Sequence, residues 1–275
     1  MAILRCPVCH ADLSREEKRY ACSANHSFDI ARQGYVNLLL SSQMPSKAPG
    51  DSADMLADRR AFLETGFYQP LREAIADKLA HLQAGLNHSQ NVLDLGCGEG
   101  YYTAAFANAD DRKMYALDIS KPALALAARR SKAVTWCVGT SRALPFHDST
   151  LNVVLNIFCR PHETETKRVL RDDGVMVLVG PGVAHLTELR EVLYEKLTIE
   201  ESHSLAHLQQ YGFELVDSQT LQYTFTAGQP TIAQLARMTP HYWRASQSGR
   251  QSIETVETLT TRAEFVIHTL KKRLV

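Results

Sequence analysis

The sequence predicts an α/β fold, a mostly parallel sheet covered by helices on both faces, preceded by a small cysteine-bearing module. Three observations carry that expectation. From Asn91 onward, short and almost wholly apolar runs alternate with helical stretches, the pattern of βαβ crossovers whose strands are buried on both faces. Cys6, Cys9 and Cys22 fall within the first 40 residues, ahead of a stretch rich in Ser, Pro and Gly. The chain has 275 residues, 45% hydrophobic and 22% charged, enough for about two domains of which one holds a full core. The longest apolar runs, such as 151–158, fall far short of the roughly 18–20 residues that cross a bilayer. No basic-apolar-small signal opens the chain, so a cytoplasmic protein without a membrane partner is expected. In a reducing compartment, paired cysteines point to metal or chemistry rather than disulfides.

Along the chain, residues 1–40 show no long apolar periodicity and are read as the small module, 41–52 as a linker, and 53–275 as the large domain. Ser52 is a favourable N-cap for a helix in which Met55, Leu56, Phe62 and Leu63 fall close to helical spacing, and a second helix is expected over 70–82. Strands are expected at 92–95, 114–117, 134–138, 153–158 and 175–179, with helices at 101–108, 122–130, 163–170 and 185–194 between and after them. Segments 213–225 and 265–270 would finish the sheet as antiparallel strands, seven in all, with a helix over 231–238. The formal net charge is +0, yet no carboxylate lies between Asp118 and Asp148, where Lys121, Arg129, Arg130, Lys132 and Arg142 do. A second tract, between Asp217 and Glu254, holds Arg237, Arg244 and Arg250 and again no carboxylate. These are either solvated helix faces or a basic surface for a polyanion.

Val92-Leu93-Asp94-Leu95-Gly96-Cys97-Gly98-Glu99-Gly100 is an apolar strand running into a glycine turn that opens a helix. Glycines permit the tight turn and let a ligand meet the main chain without a Cβ in the way. Asp94 closes the first strand and Asp118 the next, where a carboxylate can accept both hydroxyls of a ribose. The dinucleotide fingerprint is G-x-G-x-x-G, whereas this loop reads G-x-G-x-G with an acid ahead of it. That combination resembles the first motif of class I S-adenosylmethionine methyltransferases, and Leu144-Pro145-Phe146-His147-Asp148 resembles a later motif of the same superfamily. Such a cofactor carries a sulfonium and an ammonium and no pyrophosphate, so a nearby acid suits it. A dinucleotide, or a turn with a purely structural role, are the other readings of the loop.

Cys6-Pro7-Val8-Cys9 and Cys22-Ser23-Ala24-Asn25-His26 form C-x2-C-x12-C-x3-H. Three thiolates and an imidazole are a complete tetrahedral set for Zn²⁺, and a closed site is structural rather than catalytic. A weakly hydrophobic module of this size needs such a staple. His10 is an alternative fourth ligand, and reduced buried cysteines are the alternative to a metal site. Cys97 is expected to serve through its backbone N–H, Cys137 as a small buried hydrophobe, and Cys159 to be inert or modified near the substrate.

Together with Pro49-Gly50-Asp51-Ser52-Ala53-Asp54-Met55, Arg59-Arg60-Ala61-Phe62-Leu63, Gly66-Phe67-Tyr68-Gln69-Pro70-Leu71, Gly96-Cys97-Gly98-Glu99-Gly100-Tyr101-Tyr102 and Met238-Thr239-Pro240-His241-Tyr242-Trp243-Arg244, these features make the chain resemble the RlmA family over essentially its whole length. Members of that family methylate N1 of a guanine in a hairpin of 23S ribosomal RNA. The resemblance implies a class I, Rossmann-like methyltransferase domain over 53–275 behind a zinc-binding RNA-recognition module over 1–40. It implies that Cys6, Cys9, Cys22 and His26 bind zinc. It also implies that Tyr68, Gly98, Glu99 and His185 surround S-adenosylmethionine, alongside Asp94, Gly96, Gly100 and Asp118. A packing role for Tyr68 and a surface position for His185 are the alternatives. The chain departs from the family pattern at Phe158-Cys159-Arg160-Pro161, where a Tyr-Ala-Pro-like turn is expected.

Guanine N1 normally carries a proton and pairs with cytosine, so the enzyme must meet an unpaired or flipped base and remove that proton. His162, Glu163 and Asp148 are the candidate general bases. Arg5, Arg15, Lys18, Arg19 and Arg32 would help the module hold the hairpin, with Tyr242 and Trp243 either stacking on bases or packing in the core. A homodimer would join two basic clefts across one RNA. The rival readings are a quinone- or sterol-type small-molecule methyltransferase and a non-catalytic RNA-binding factor.

Overall fold

The computed structural model describes residues 2–44, 50–84, 89–107, 109–195 and 205–273. Its N-terminal segment holds β1 (Leu13–Arg15), β2 (Arg19–Cys22), β3 (Ser27–Asp29) and β4 (Tyr35–Asn37). Helices α1 (Ala53–Glu64) and α2 (Gln69–Gln83) follow, and the Met55 N–H donates to the Ser52 hydroxyl at the first N-cap. The alternation then runs β5 (Gln90–Leu95), α3 (Tyr101–Phe106), β6 (Arg112–Asp118), α4 (Lys121–Arg130), β7 (Val134–Val138), β8 (Leu151–Ile157), α5 (Glu163–Val169) and β9 (Leu170–Pro181). The remainder supplies α6 (Thr187–Leu193), α7 (Leu205–Gln210), β10 (Phe213–Gly228), α8 (Thr231–Arg237), α9 (Pro240–Arg244), α10 (Gln247–Thr255) and β11 (Thr258–Lys272). Each expected core strand and helix is present within a few residues; Asn108, the last residue of the expected third helix, lies outside the described residues.

Neighbouring strands of the large sheet run in the order β10-β11-β9-β8-β5-β6-β7-β4. Six of these strands pair in parallel and β10 and β11 close one edge antiparallel. Among the described residues the sheet therefore has eight strands, one more than the seven expected. The extra strand is β4, which pairs with β7 in the register Tyr35↔Trp136 to Asn37↔Val138. It carries a single buried residue, Val36, so it leaves no periodicity to read in the sequence. Because the first three parallel strands β5, β6 and β7 progress one way and β8 and β9 lie on the other side of β5, the order reverses between β5 and β8. A crevice opens at the carboxyl ends of the strands at such a reversal.

The two faces of the sheet are covered differently. On one face α1–α4, α6, α8 and α10 bury Phe62, Leu71, Leu124 and Ile232 against Val92, Ala116, Trp136 and Val153. On the other face, among the described residues, α5 and α7 contribute the helical side chains and the N-terminal module adds its own: Leu4, Leu13 and Tyr20 share a core with Leu93, Leu117, Cys137 and Phe146. Among the described residues, 139–150 between β7 and β8 contain no helix. The module docks there. Arg5 donates its N–H to the Pro145 carbonyl at 3.1 Å, and His147 donates to that of Ile3 at 3.0 Å. The small module thus takes the place of a crossover helix, and Cys137 is the buried hydrophobe that was expected.

Candidate active site

The loop Gly96–Gly100 follows β5 into the crevice, and its three glycines have φ of 80°, 54° and 80°. A Cβ on Gly96 would lie 2.5 Å from Cys159 Sγ, and one on Gly100 2.8 Å from Trp136 Cη2, whereas one on Gly98 would meet nothing within 4 Å. Two of the glycines are therefore demanded by packing, and the middle one leaves bare backbone facing open space.

Asp118 closes β6 beside this loop. Its Oδ2 accepts the Gly98 N–H at 2.9 Å and its Oδ1 accepts the Ser120 N–H at 2.8 Å, which leaves each oxygen lone-pair capacity for a sugar hydroxyl. Burial pushes its carboxyl above the usual range against the pull of those two donors. The end of the linker also reaches this point: a Cβ on Gly50 would lie 2.8 Å from Ser120 Cβ, and Asp51 pairs with Arg59, both close enough to act on Asp118. Asp94 is buried; its Oδ2 accepts the Thr103 hydroxyl at 2.5 Å, while its Oδ1 has no partner. Burial pushes this carboxyl up to about 7.

Tyr68, just before α2, and His185, in the turn after β9, meet side chain to side chain. His185 is buried, and α6 starts only at Thr187 because Leu186 takes a left-handed φ of 53° as its N-cap. The surface alternative for His185 is thereby removed. Its Nδ1 accepts the Glu264 N–H at 3.2 Å, so the ring proton sits on Nε2 and is donated to the Tyr68 hydroxyl oxygen at 3.3 Å. Burial lowers the imidazole to about 3, which keeps it neutral. The Tyr68 O–H is then left to donate to a ligand. The Tyr102 hydroxyl is buried without a partner and senses Tyr68 electrostatically; sequence reasoning passed it over, although it ends a quoted motif.

Glu99 behaves otherwise than expected. Its carboxylate is buried with Oε2 on Arg130, whose guanidinium also binds Glu64 at 2.7 Å, so it braces the loop, while its Oε1 has no partner. Asp148 is corrected as a general base. It precedes β8, at the opposite edge of the sheet from the glycine loop, and is held by Arg168 at 2.6 Å and Arg5 at 3.9 Å. His162 and Glu163 do lie at the right edge, at the start of α5. Glu163 is engaged by His207 Nε2 at 3.0 Å, and His162 keeps its Nδ1 buried without a partner. Cys159 packs on the loop with its thiol pushed up to about 11 by burial, which disfavours the thiolate.

In the N-terminal module the ligand atoms of Cys6, Cys9, Cys22 and His26 all lie within 4.8 Å of one another. Cys9 Sγ is 3.6 Å from Cys22 Sγ, and His26 Nδ1 is 3.4 Å from Cys22 Sγ and 3.6 Å from Cys6 Sγ. Those separations match the edges of a tetrahedron with metal–ligand bonds of about 2.0–2.3 Å. His10 is not in the cluster. Arg15, Lys18 and Arg32 are exposed on the module, Arg19 pairs with Glu16 at 2.5 Å, and Arg5 turns inward to Asp148. Trp243 stands at the surface with its indole N–H donated to the Arg237 carbonyl, while Tyr242 packs on the core.

Residues 4–47 match the family model of the RlmA N-terminal zinc ribbon, and residues 92–174 match that of a methyltransferase domain. The chain is 34% identical over 243 residues to the 23S rRNA (guanine(748)-N(1))-methyltransferase of Streptomyces fradiae, covering 87% of this chain and 85% of that one. It belongs to the RlmA family of 23S rRNA (guanine-N1)-methyltransferases. A Bacillus subtilis protein, YxjB, provisionally assigned the same class of reaction, is 32% identical over 89% of this chain and 88% of its own. Among solved structures, Haemonchus contortus phosphoethanolamine N-methyltransferase 2 in complex with S-adenosyl-L-methionine aligns at TM-score 0.50 and 14% identity, over 80% of this chain and 57% of that one. That likeness is one of fold. The RlmA-family cofactors are S-adenosylmethionine and a structural zinc. The residues fit both: the cysteine–histidine tetrad for zinc, and for the nucleoside the open Gly98 backbone, the unpartnered Asp94 Oδ1 and the buried Tyr102 hydroxyl.

Proposed function

We infer that this chain transfers a methyl group from S-adenosylmethionine to N1 of a guanine in a 23S rRNA hairpin. The observation that supports it most is the grouping at the strand-order reversal of Asp118, Asp94 and the bare Gly98 backbone, together with the buried Tyr68–His185 pair, in a chain that carries an RlmA-type ribbon. Asp118 would grip the ribose, Asp94 would face the cationic end, and Tyr68 would donate to the amino-acid carboxylate. The bound cofactor supplies a methyl group already activated by its sulfonium. What remains for the protein is positioning, exclusion of water, and removal of the N1 proton. His162, unpartnered at Nδ1 and set at the edge of β8, is assigned as the proton acceptor, with Glu163 held by His207. Exposed Arg15, Lys18 and Arg32 on the ribbon would meet the RNA backbone.

Among the described residues no helix is long and apolar enough to cross a membrane. With ribosomal RNA as substrate, the site of action is the cytoplasm. A homodimer pairing two basic clefts is part of the same proposal, tested by light scattering with and without RNA.

Incubating the protein and S-adenosylmethionine with unmodified 23S rRNA should create one new reverse-transcriptase stop next to a guanine, because a methyl at N1 blocks base pairing. No new stop would overturn the assignment. His162→Ala should lower kcat by about 100- to 10,000-fold with cofactor affinity unchanged. An unaltered kcat would move the role to Glu163.

A further inference from the structure

We propose that Phe158 is the platform on which the guanine to be methylated stacks once it has left its helix. The proposal rests on the rRNA methyltransferase reading above and adds a residue to it.

The argument starts from strand alternation. Along β8, Leu155 and Ile157 point into the core that holds Phe265, and Val154 points into the opposite one. Continued extended backbone would send residue 158 to the side of Val154 and Asn156. Instead Phe158 has φ of 56°, a left-handed conformation that bulky L-residues rarely adopt. That reversal brings its ring to the other side, 5.7 Å from Phe265 between centroids. Phe265 in turn lies 5.0 Å from Tyr68 and 4.8 Å from His185. The next residue, Cys159, is seated where a Gly96 Cβ would be. Phe158 thus sits between Cys159, which packs on the glycine loop, and Phe265, which backs the Tyr68–His185 pair.

Despite these neighbours Phe158 is 45% exposed. An apolar ring held in the open by a strained backbone is costly on both counts, and such outliers mark functional sites. Val183, which is 69% exposed, follows the adjacent parallel strand β9 and adds apolar surface at the same edge. His162 lies four positions beyond Phe158, after Pro161. A purine stacked on the ring would lie on the same loop that carries His162, the residue assigned above as proton acceptor. Trp243 lacks that placement: it lies on α9 and is tied by its N–H to Arg237.

Phe158→Gly and Phe158→Tyr separate the alternatives. Glycine accepts the left-handed φ without strain, so Phe158→Gly should melt close to the wild type and bind S-adenosylmethionine equally well by calorimetry. Its kcat/KM for an rRNA fragment should drop about 5- to 150-fold, the range for losing one base–aromatic stack. Phe158→Tyr should stay near wild type. With 2-aminopurine in place of the target guanine, emission from the complex should be quenched by the wild type and by Phe158→Tyr, and remain bright with Phe158→Gly. If the wild type methylates the fragment and Phe158→Gly does so equally well, the platform is refuted and the rRNA reading stands. A matching loss of cofactor affinity would make Phe158 part of the cofactor wall and refute it too. A wild type inactive on the fragment would overturn the rRNA reading and the platform with it.

Discussion

Asp94 shows how burial sets the chemistry of one carboxyl. With one oxygen on Thr103, the other unpartnered, and a value near 7, it exists in both charge states around neutral pH. A cationic cofactor binds the ionised form better, so affinity for S-adenosylmethionine should fall as the pH drops from about 8 to about 6. Calorimetry across that interval should find this slope in the wild type and a flat, weaker response in Asp94→Asn. Equal slopes would remove Asp94 from the cation's surroundings. The effect on stability has the opposite sense. The folded value, about 7, lies above the 3.8 of an unperturbed aspartate, so this group's contribution is fully present below about pH 4 and is lost as the pH rises through 7. Glu99 shows the contrast: equally buried, it is neutralised by Arg130 and has become a brace.

At the scale of elements, the glycine loop separates packing from binding. Gly100→Ala would drive a methyl into Trp136 and Ala127, and Gly98→Ala would meet no atom but would still force a left-handed alanine. Gly98→Ala should therefore cost about 1–2 kcal/mol of stability, and Gly100→Ala more, by denaturant unfolding. Cofactor affinity should nevertheless fall at least as far in Gly98→Ala, because the added methyl enters the open space above the loop. The reverse order would place the ligand elsewhere. Most of these elements were legible beforehand. The strand–loop–helix around Gly96 follows from the local order of residues alone, and the N-caps at Ser52 and Ser120 are local hydrogen bonds. Strand β4 was not legible, since it has three residues and one buried side chain and exists only because β7 offers an edge.

For the whole molecule, the ribbon is a layer of the core as well as a candidate RNA contact. Its Leu4, Leu13 and Tyr20 cover strands that crossover helices would otherwise cover. Chelation should release about one zinc per chain, lower the melting temperature and increase binding of a hydrophobic dye. Tyr20→Ala should cost about 3–5 kcal/mol with zinc still bound. A chelated protein with unchanged melting would show that the ribbon is an independent appendage. Because the ribbon has this structural duty, its presence alone does not separate an rRNA enzyme from a small-molecule methyltransferase. The family and the exposed Arg15, Lys18 and Arg32 now separate those readings.

Range along the chain divides what could be read early from what could not. Gly98 and Asp118 are 20 residues apart within one βαβ unit, and Cys22 and His26 only 4, so short-range spacing was enough to pair them. Tyr68 and His185 are 117 residues apart, and His185 and Glu264 are 79 apart; only packing decides that the imidazole is buried, neutral and aimed at the tyrosine. The same holds for Asp148, whose place at the wrong edge follows from strand direction, and for Phe158, whose ring is turned by one backbone dihedral. Residue type and spacing encode which chemistry is available. Burial, charge state and side-chain direction belong to the folded sheet, because each depends on neighbours that the chain brings from far away.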